Sequence, residues 1–409
     1  MARLFIFIIL LLAGNAPAFA QGATQDFSRI ERGRYLTTLS DCEGCHTAPG
    51  GRPFAGGVAL QTPFGTLIGP NITPDTDTGI GNWSDDEFVS ALQDGRGRNG
   101  TRLYPAMPYT AYTKMSRDDI LAIRAYLNTV TPVHNRVNAN QLPFPFNIRL
   151  AMLVWNWLNF TPGRFVADPH QSPELNRGAY LVQGPGHCGA CHTPKTALGG
   201  DKTDAPLVGA TLQGWFAPNI TANQHNGIGR WSKDDLIQYL KTGANNVTLA
   251  SGPMAEAVTH STSQMKDADV AAIATYLLGT GQGQADKPAP LAADNPTMKA
   301  GAAIYKDACA ACHQDNGQGN AQLFPRLAGS SIVQSDDSTT LGRIVLEGSR
   351  AITTSSAPTA PAMPAFDWRL DNDQVAAVLT YIRNSWGNAA PAVSAATVAK
   401  QRTSLARSR

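Results

Sequence analysis

The chain has no cysteine to spare, little charge, and no long apolar run beyond its first residues. Charged side chains make up only 16% of the 409 residues, against roughly 25% in ordinary globular proteins. Basic residues exceed acidic ones by a net +2, so the polybasic footprint of a nucleic-acid binder is missing. No stretch after residue 20 reaches the ~18 apolar residues of a transmembrane helix. No Ser-His-Asp set, flavin fingerprint or phosphate-binding glycine loop appears, and lone catalysis on an organic substrate is not expected. The composition also excludes a collagen, a coiled coil and a disordered chain. What is present in modest excess is glycine and proline, 38 and 27 residues, which points to long ordered loops.

The first twenty residues read as a secretory address. Arg3 supplies a positive start, Leu4 to Leu12 an apolar core, and Ala18-Phe19-Ala20 a small-x-small cleavage site. The apolar run is too short to span a bilayer, which favours a cleaved signal over a retained anchor. The mature chain would begin at Gln21, exported and not spanning the membrane.

All six cysteines fall into one sentence repeated three times: Cys42-Glu43-Gly44-Cys45-His46, Cys188-Gly189-Ala190-Cys191-His192 and Cys309-Ala310-Ala311-Cys312-His313. C-x-x-C-H is the attachment signature of c-type haem. Two thiols one helical turn apart can each form a thioether to a porphyrin, and the adjoining imidazole then reaches the iron. Disulfides or redox pairs would be the ordinary use of paired cysteines in an exported chain. Neither explains a histidine after every second cysteine, and zinc would need further paired ligands. Three covalent haem c groups are expected, attached at these cysteines, with His46, His192 and His313 as iron ligands.

The repeat extends beyond the motif. Before each one lies a helix-like segment with glycine and tyrosine: Gly33 with Tyr35, Gly178 with Tyr180, Gly301 with Tyr305. After each comes a helix with one apolar stripe: Ile120, Ile123, Tyr126, Leu127; Val270, Ile273, Tyr276, Leu277; Val375, Val378, Tyr381, Ile382. Repeats one and two also share Pro-Asn-Ile-Thr (Pro70 to Thr73, Pro218 to Thr221) and Gly-Ile-Gly-x-Trp-Ser (Gly79 to Ser84, Gly227 to Ser232). Ser84 with Glu87 and Ser232 with Asp235 look like capping-box helix starts. Asn71, Asn219, Trp83 and Trp231 fit either turn and cap structure or hydrogen bonds to haem propionates.

Met/His ligation makes a c-type haem an electron carrier, whereas histidine alone leaves the iron open, as in peroxidases. Each repeat offers a methionine in a Pro- or Gly-flanked loop before its last helix: Met107, Met254 and Met363. Met115 and Met265 are rivals, but Leu370 stands at their place in repeat three. That favours a hydrophobic staple there and Met107, Met254 and Met363 as sixth ligands. The isolated histidines His134, His170, His187, His225 and His260 have no repeat-consistent position and read as surface or loop residues, with bis-histidine ligation of one haem as the alternative.

Together these features resemble the class I cytochrome c fold, three times over. Pro-Asn-Ile-Thr, Gly-Ile-Gly-x-Trp-Ser, Pro-Ala-Met-Pro and the closing Tyr381-Ile382-Arg383-Asn384-Ser385-Trp386-Gly387 resemble the triheme cytochrome c subunit of periplasmic membrane-bound dehydrogenases. That family serves alcohol, gluconate, sorbitol, fructose or aldehyde dehydrogenases of Gram-negative bacteria. The resemblance implies a mostly α chain of three tandem cytochrome c domains. It implies a non-catalytic subunit that takes electrons from a catalytic dehydrogenase partner, with or without a third small subunit, and delivers them to ubiquinone. Its place would be the periplasmic side of the cytoplasmic membrane, as a peripheral protein. A free periplasmic shuttle is the alternative, and a haem peroxidase a more distant one.

The expected layout is a signal peptide over 1–20, domains over 21–140, 171–285 and 286–388, an aromatic-rich segment over 141–170, and a basic tail over 389–409. The stretch Phe144 to Phe160, with Trp155 and Trp157, fits inter-domain packing, membrane or quinone contact, or a partner subunit. The tail fits a disordered end or a short helix attracted to anionic lipid.

Overall fold

The computed structural model describes residues 19–280, 288–355 and 357–408. All but the last two residues of the expected signal peptide lie outside them. The first repeat contributes α1 (Phe19–Leu39), α2 (Asp85–Asp94) and α3 (Arg117–Leu127), and α4 (Met152–Asn159) lies in the following segment. The second contributes α5 (Pro173–Gln183), α6 (Lys233–Thr242), α7 (Pro253–His260) and α8 (Asp267–Leu278). The third holds α9 (Pro296–Ala308), α10 (Thr339–Glu347) and α11 (Asn372–Arg383), and α12 (Ala395–Ser408) closes the chain. Sheet is sparse. An antiparallel trio runs in order β1 (Ala59–Thr62), β2 (Gly65–Ile68), β3 (Asn140–Gln141), with Leu60 opposite Leu67 and Thr66 opposite Gln141. Two short hairpins, β4 (Ala210–Leu212) with β5 (Trp215–Ala217) and β6 (Ser349–Arg350) with β7 (Ala362–Met363), complete it.

One helix crossing is built three times: α1 on α3, α5 on α8, α9 on α11. The apolar stripes explain the pairing, since Ile120, Val270 and Val375 are wholly buried at the start of each stripe. Glycine explains how close the helices come. A Cβ added at Gly33 would stand 1.8 Å from Ala122 O, at Gly178 2.0 Å from Ala272 O, and at Gly301 2.2 Å from Ala377 O. Those atoms are backbone of the facing helix, one turn before the conserved-position tyrosines Tyr126, Tyr276 and Tyr381. Both expected capping boxes form, Ser84 with Glu87 and Ser232 with Asp235, and Asp371 with Gln374 makes a third on α11.

Domain 3 docks on the β4–β5 side of domain 2. Phe216 N donates to Thr340 Oγ1 at 2.8 Å, Thr211 Oγ1 to Asp337 at 2.6 Å, and Gln334 Nε2 to His225 O at 2.8 Å. Domain 1 packs on another part of domain 2, which lies between its neighbours.

Two segments depart from expectation. The tail is neither disordered nor free. Val398 and Leu405 of α12 are buried in the domain 3 core beside Leu346, Leu370 and Leu379. Arg402 donates to Asn372 Oδ1 at 2.8 Å and to Asp367 O at 2.9 Å. The alanine-rich composition hid this, because only one face of the helix carries large apolar groups. In the aromatic segment the two tryptophans divide. Trp155 is buried, with its ring edge-on to Tyr109 and its Nε1 donating to Leu198 O of domain 2 at 2.7 Å. Trp157 points the other way and is 82% exposed, beside exposed Leu150, Val154 and Leu158.

Candidate haem-binding sites

Each C-x-x-C-H segment folds as a single helical turn directly after the first helix of its repeat: Cys42–His46, Gly189–His192 after Cys188, and Ala310–His313 after Cys309. The first two turns are approached through residues in the left-handed region, Asp41 at φ 47° and His187 at φ 35°. That sharp reversal sets the turn across the end of α1 or α5. All six cysteines are free of disulfides in the structure. Burial pushes the Cys42 and Cys188 thiols up to about 12 and the Cys45 and Cys309 thiols up to about 11. Thiols held neutral so far above neutrality are poor metal thiolates and poor redox nucleophiles. A neutral thioether suits the same apolar surroundings. Among the described residues no group of three or more His, Cys, Asp or Glu could hold a metal ion.

The three histidines share one orientation. His46 Nδ1 lies 2.7 Å from Pro70 O, His192 Nδ1 2.6 Å from Pro218 O, and His313 Nδ1 3.0 Å from Pro325 O. A carbonyl can only accept, so Nδ1 carries the proton and Nε2 keeps its lone pair. This is the arrangement in which an outer hydrogen bond fixes the tautomer of a metal-ligating imidazole. Burial lowers all three imidazole pKa values, opposed in part by the proline carbonyls, and the rings stay neutral and able to ligate. The carbonyl of each histidine is held as well, by Gly56 N at 2.7 Å, Gly209 N at 2.7 Å and Gly319 N at 3.0 Å.

These prolines and glycines were not singled out for this role from the sequence. Their signal was there, because Pro70 and Pro218 open the shared Pro-Asn-Ile-Thr and Pro325 lies in Phe324-Pro325-Arg326. The asparagines serve the turn. Asn71 Nδ2 donates to Thr78 Oγ1 at 3.0 Å and Val133 O at 2.7 Å, using both amide hydrogens, and Asn219 Nδ2 donates to Asn226 Oδ1 at 3.0 Å. Trp83 and Trp231 pack at the edges of the domain 1 and domain 2 cores.

The methionines separate into two environments. Met115 and Met265 are sealed in the cores, as is Leu370 at the matching place in domain 3. Met107, Met254 and Met363 are half-buried at the margins of those cores. In domain 1 Met107 and Cys42 pack against one apolar cluster, and in domain 2 Met254 and Cys188 do the same. In domain 3 Met363 and Cys309 pack on two clusters joined through Ile304 and Leu341. Of the isolated histidines, His187 is committed to Ser40 O through Nε2 at 3.2 Å.

Free paired thiols, an oriented neutral imidazole and a half-buried thioether at the edge of an apolar core fit haem c. The Cytochrome c family model matches residues 30–131, 175–281 and 298–386. The chain belongs to the cytochrome c family. It carries three cytochrome c domains, and domains of this family imply covalently bound haem c, one group per domain. Among curated cytochromes, it is 42% identical to the gluconate 2-dehydrogenase cytochrome c subunit of Pantoea cypripedii, over 89% of this chain and 87% of the relative. It is 39% identical to the cytochrome c subunit of the alcohol dehydrogenase (quinone) of Gluconobacter oxydans, over 96% and 86% of the two chains. The fructose dehydrogenase cytochrome subunit of Gluconobacter japonicus is 37% identical over 96% of this cytochrome and 87% of its own length.

Proposed function

We propose that this cytochrome is the electron-transfer subunit of a quinone-dependent dehydrogenase complex on the periplasmic face of the cytoplasmic membrane. Its three haem domains span 21–140, 171–285 and 286–388, the last completed by α12. The haems are attached at Cys42 and Cys45, Cys188 and Cys191, and Cys309 and Cys312. His46 with Met107, His192 with Met254 and His313 with Met363 ligate the three irons. When bound, each haem takes up and releases one electron by outer-sphere transfer. The chain's own groups do the rest: burial keeps the imidazoles neutral, the proline carbonyls fix their tautomer and aim them, and the cores keep water from the thioether side. The observation that carries the reading is the His Nδ1 to proline carbonyl bond made in all three domains.

Electrons would come from a catalytic dehydrogenase subunit, with or without a third small subunit, and leave to ubiquinone. The relatives' names support the dehydrogenase partner, because three are cytochrome subunits of sugar-acid, alcohol and sugar dehydrogenases. Among the described residues no helix is long and apolar enough to cross a membrane, so attachment would be peripheral. The exposed part of the aromatic segment suits a bilayer surface. Phe144, Leu150, Val154 and Trp157 are exposed, and no acidic residue occurs from Leu142 to Val166. Burial of an apolar face gives attachment that salt barely weakens.

Purification from detergent-solubilised membranes tests this. A co-purifying large subunit with sugar, alcohol or aldehyde dehydrogenase activity supports the complex, and a soluble monomer left in the periplasmic fraction supports the free shuttle. Trp157→Ser is expected to lower membrane retention at high salt with haem spectra unchanged. Trp155 is unsuitable for that test, since its loss would break packing between domains 1 and 2.

A further inference from the structure

Repeats one and two share a second pattern that repeat three lacks. Their first helices read Arg32-Gly33-Arg34-Tyr35 and Arg177-Gly178-Ala179-Tyr180, and the first turns of their last helices carry Asp119 and Asp269. In repeat three Ala300 precedes Gly301, the tyrosine comes later, and Gln374 takes the place of the aspartate. The difference follows from what these groups meet. Arg32 Nε donates to Asp119 Oδ1 at 2.7 Å inside domain 1, and Arg177 grips both oxygens of Asp269 at 2.8 Å inside domain 2.

Each carboxylate is then completed from the other domain. The Tyr35 phenol of domain 1 donates to Asp269 Oδ2 at 2.6 Å, and the Tyr180 phenol of domain 2 donates to Asp119 Oδ2. The two domains exchange the same bond. Asp119 and Asp269 are only 3% and 8% exposed, so without the phenols Asp119 Oδ2 would be left buried and short of a donor, and Asp269 Oδ2 would keep Arg177 alone. Burial, and after it the facing carboxylates, hold both phenols well above their ordinary pKa, so they stay protonated donors. Tyr305 of domain 3 turns inward instead and donates to Gln314 O at 2.7 Å.

This interface also brings two haem-attachment segments together. The Met254-bearing α7 packs on the Cys42–His46 turn. Ser261 Oγ donates to Leu39 O at 2.9 Å, and His187, next to Cys188, reaches Ser40 O. We propose that Tyr35 and Tyr180 are positioning residues that hold domains 1 and 2 in one geometry, so that their two haem sites act as a single coupled redox unit with the third set apart. The proposal rests on the haem assignment above and goes beyond it by naming the residues that fix inter-haem geometry.

A hydrogen bond to a charged group shifts an equilibrium by roughly tenfold or more. Tyr35→Phe and Tyr180→Phe keep the ring and remove only the donor. In the three-haem protein each is expected to speed amide hydrogen exchange over 36–41 and 261–269 about tenfold, leaving α9, α10 and α11 unchanged. Pulse radiolysis should show slower electron redistribution between haems 1 and 2, with three low-spin Met/His signals intact. Unchanged exchange at the interface in both variants overturns the proposal. So does faster exchange with unaltered electron redistribution, because the tyrosines would then hold the domains without setting haem coupling. A wild-type mass with fewer than three haems would defeat the haem assignment itself, before any variant is made.

Discussion

Replacing Met107, Met254 or Met363 by alanine is expected to abolish one of three low-spin Met/His haem signals and to leave the other two. Thioether ligation raises a haem potential relative to weaker sixth ligands, so one of the three potentials should fall. The drop should be on the order of a few tenths of a volt, within the roughly 0.8 V that axial ligands span. The contrasting variants are Met115→Leu and Met265→Leu. Both residues lie sealed in apolar cores, where leucine already serves as Leu370 in domain 3. A volume-conserving Met to Leu change of that kind costs less than about 1.5 kcal/mol. It should leave all three spectra as they are. A spectroelectrochemical titration of the five variants decides between the two sets, and loss of a methionine signal in Met115→Leu would reassign the ligand of domain 1.

The second large effect concerns Arg383, which is 1% exposed. Its guanidinium donates to Pro391 O at 2.9 Å, Val333 O at 3.3 Å and Ser335 O at 2.7 Å. These acceptors come from the loop before α10 and from the chain leading into α12, so one side chain ties both to α11. All three partners are carbonyls, and burial lowers the arginine pKa while the Asp336 and Asp337 charges oppose it. Arg383→Ala would leave those carbonyls without their donor inside the core. Leaving a buried acceptor without its donor costs about 1–3 kcal/mol for each group, so three together are expected to cost several kcal/mol. For a domain of this size that corresponds to a fall of roughly 10 °C or more in the melting of domain 3. The changes should be followed through the haem 3 signal, with haems 1 and 2 melting as in the parent protein. Arg383→Lys should recover little, because an ammonium cannot reach three diverging carbonyls as the planar fork does.

Much of the fold was legible because the chain repeats itself. A glycine recurs in each first helix and the stripe of each last helix keeps one spacing, so three crossings could be read from one pattern. The capping boxes at Ser84 and Ser232 were equally local. What escaped was non-local. The proline carbonyls that orient the histidines belong to loops 12 to 26 residues away, and a backbone acceptor leaves no side-chain signature. Tyr35 and Tyr180 stood out only as tyrosines of a repeated helical segment, and nothing in a single repeat shows that each meets the other domain's aspartate. The tail was read as a basic, alanine-rich end because its two anchoring side chains, Val398 and Leu405, are separated by polar residues. Trp155 and Trp157 stand two positions apart on α4, so they face different sides, and composition alone could not divide them.

The most direct test of the central claim is the intact mass of the protein isolated from the periplasm, with proteolysis to locate each adduct. Three covalent haem additions, one on each of the pairs Cys42 and Cys45, Cys188 and Cys191, and Cys309 and Cys312, on a chain beginning at Gln21, are the expected result. Two additions, or an unmodified cysteine pair in any one domain, would contradict it.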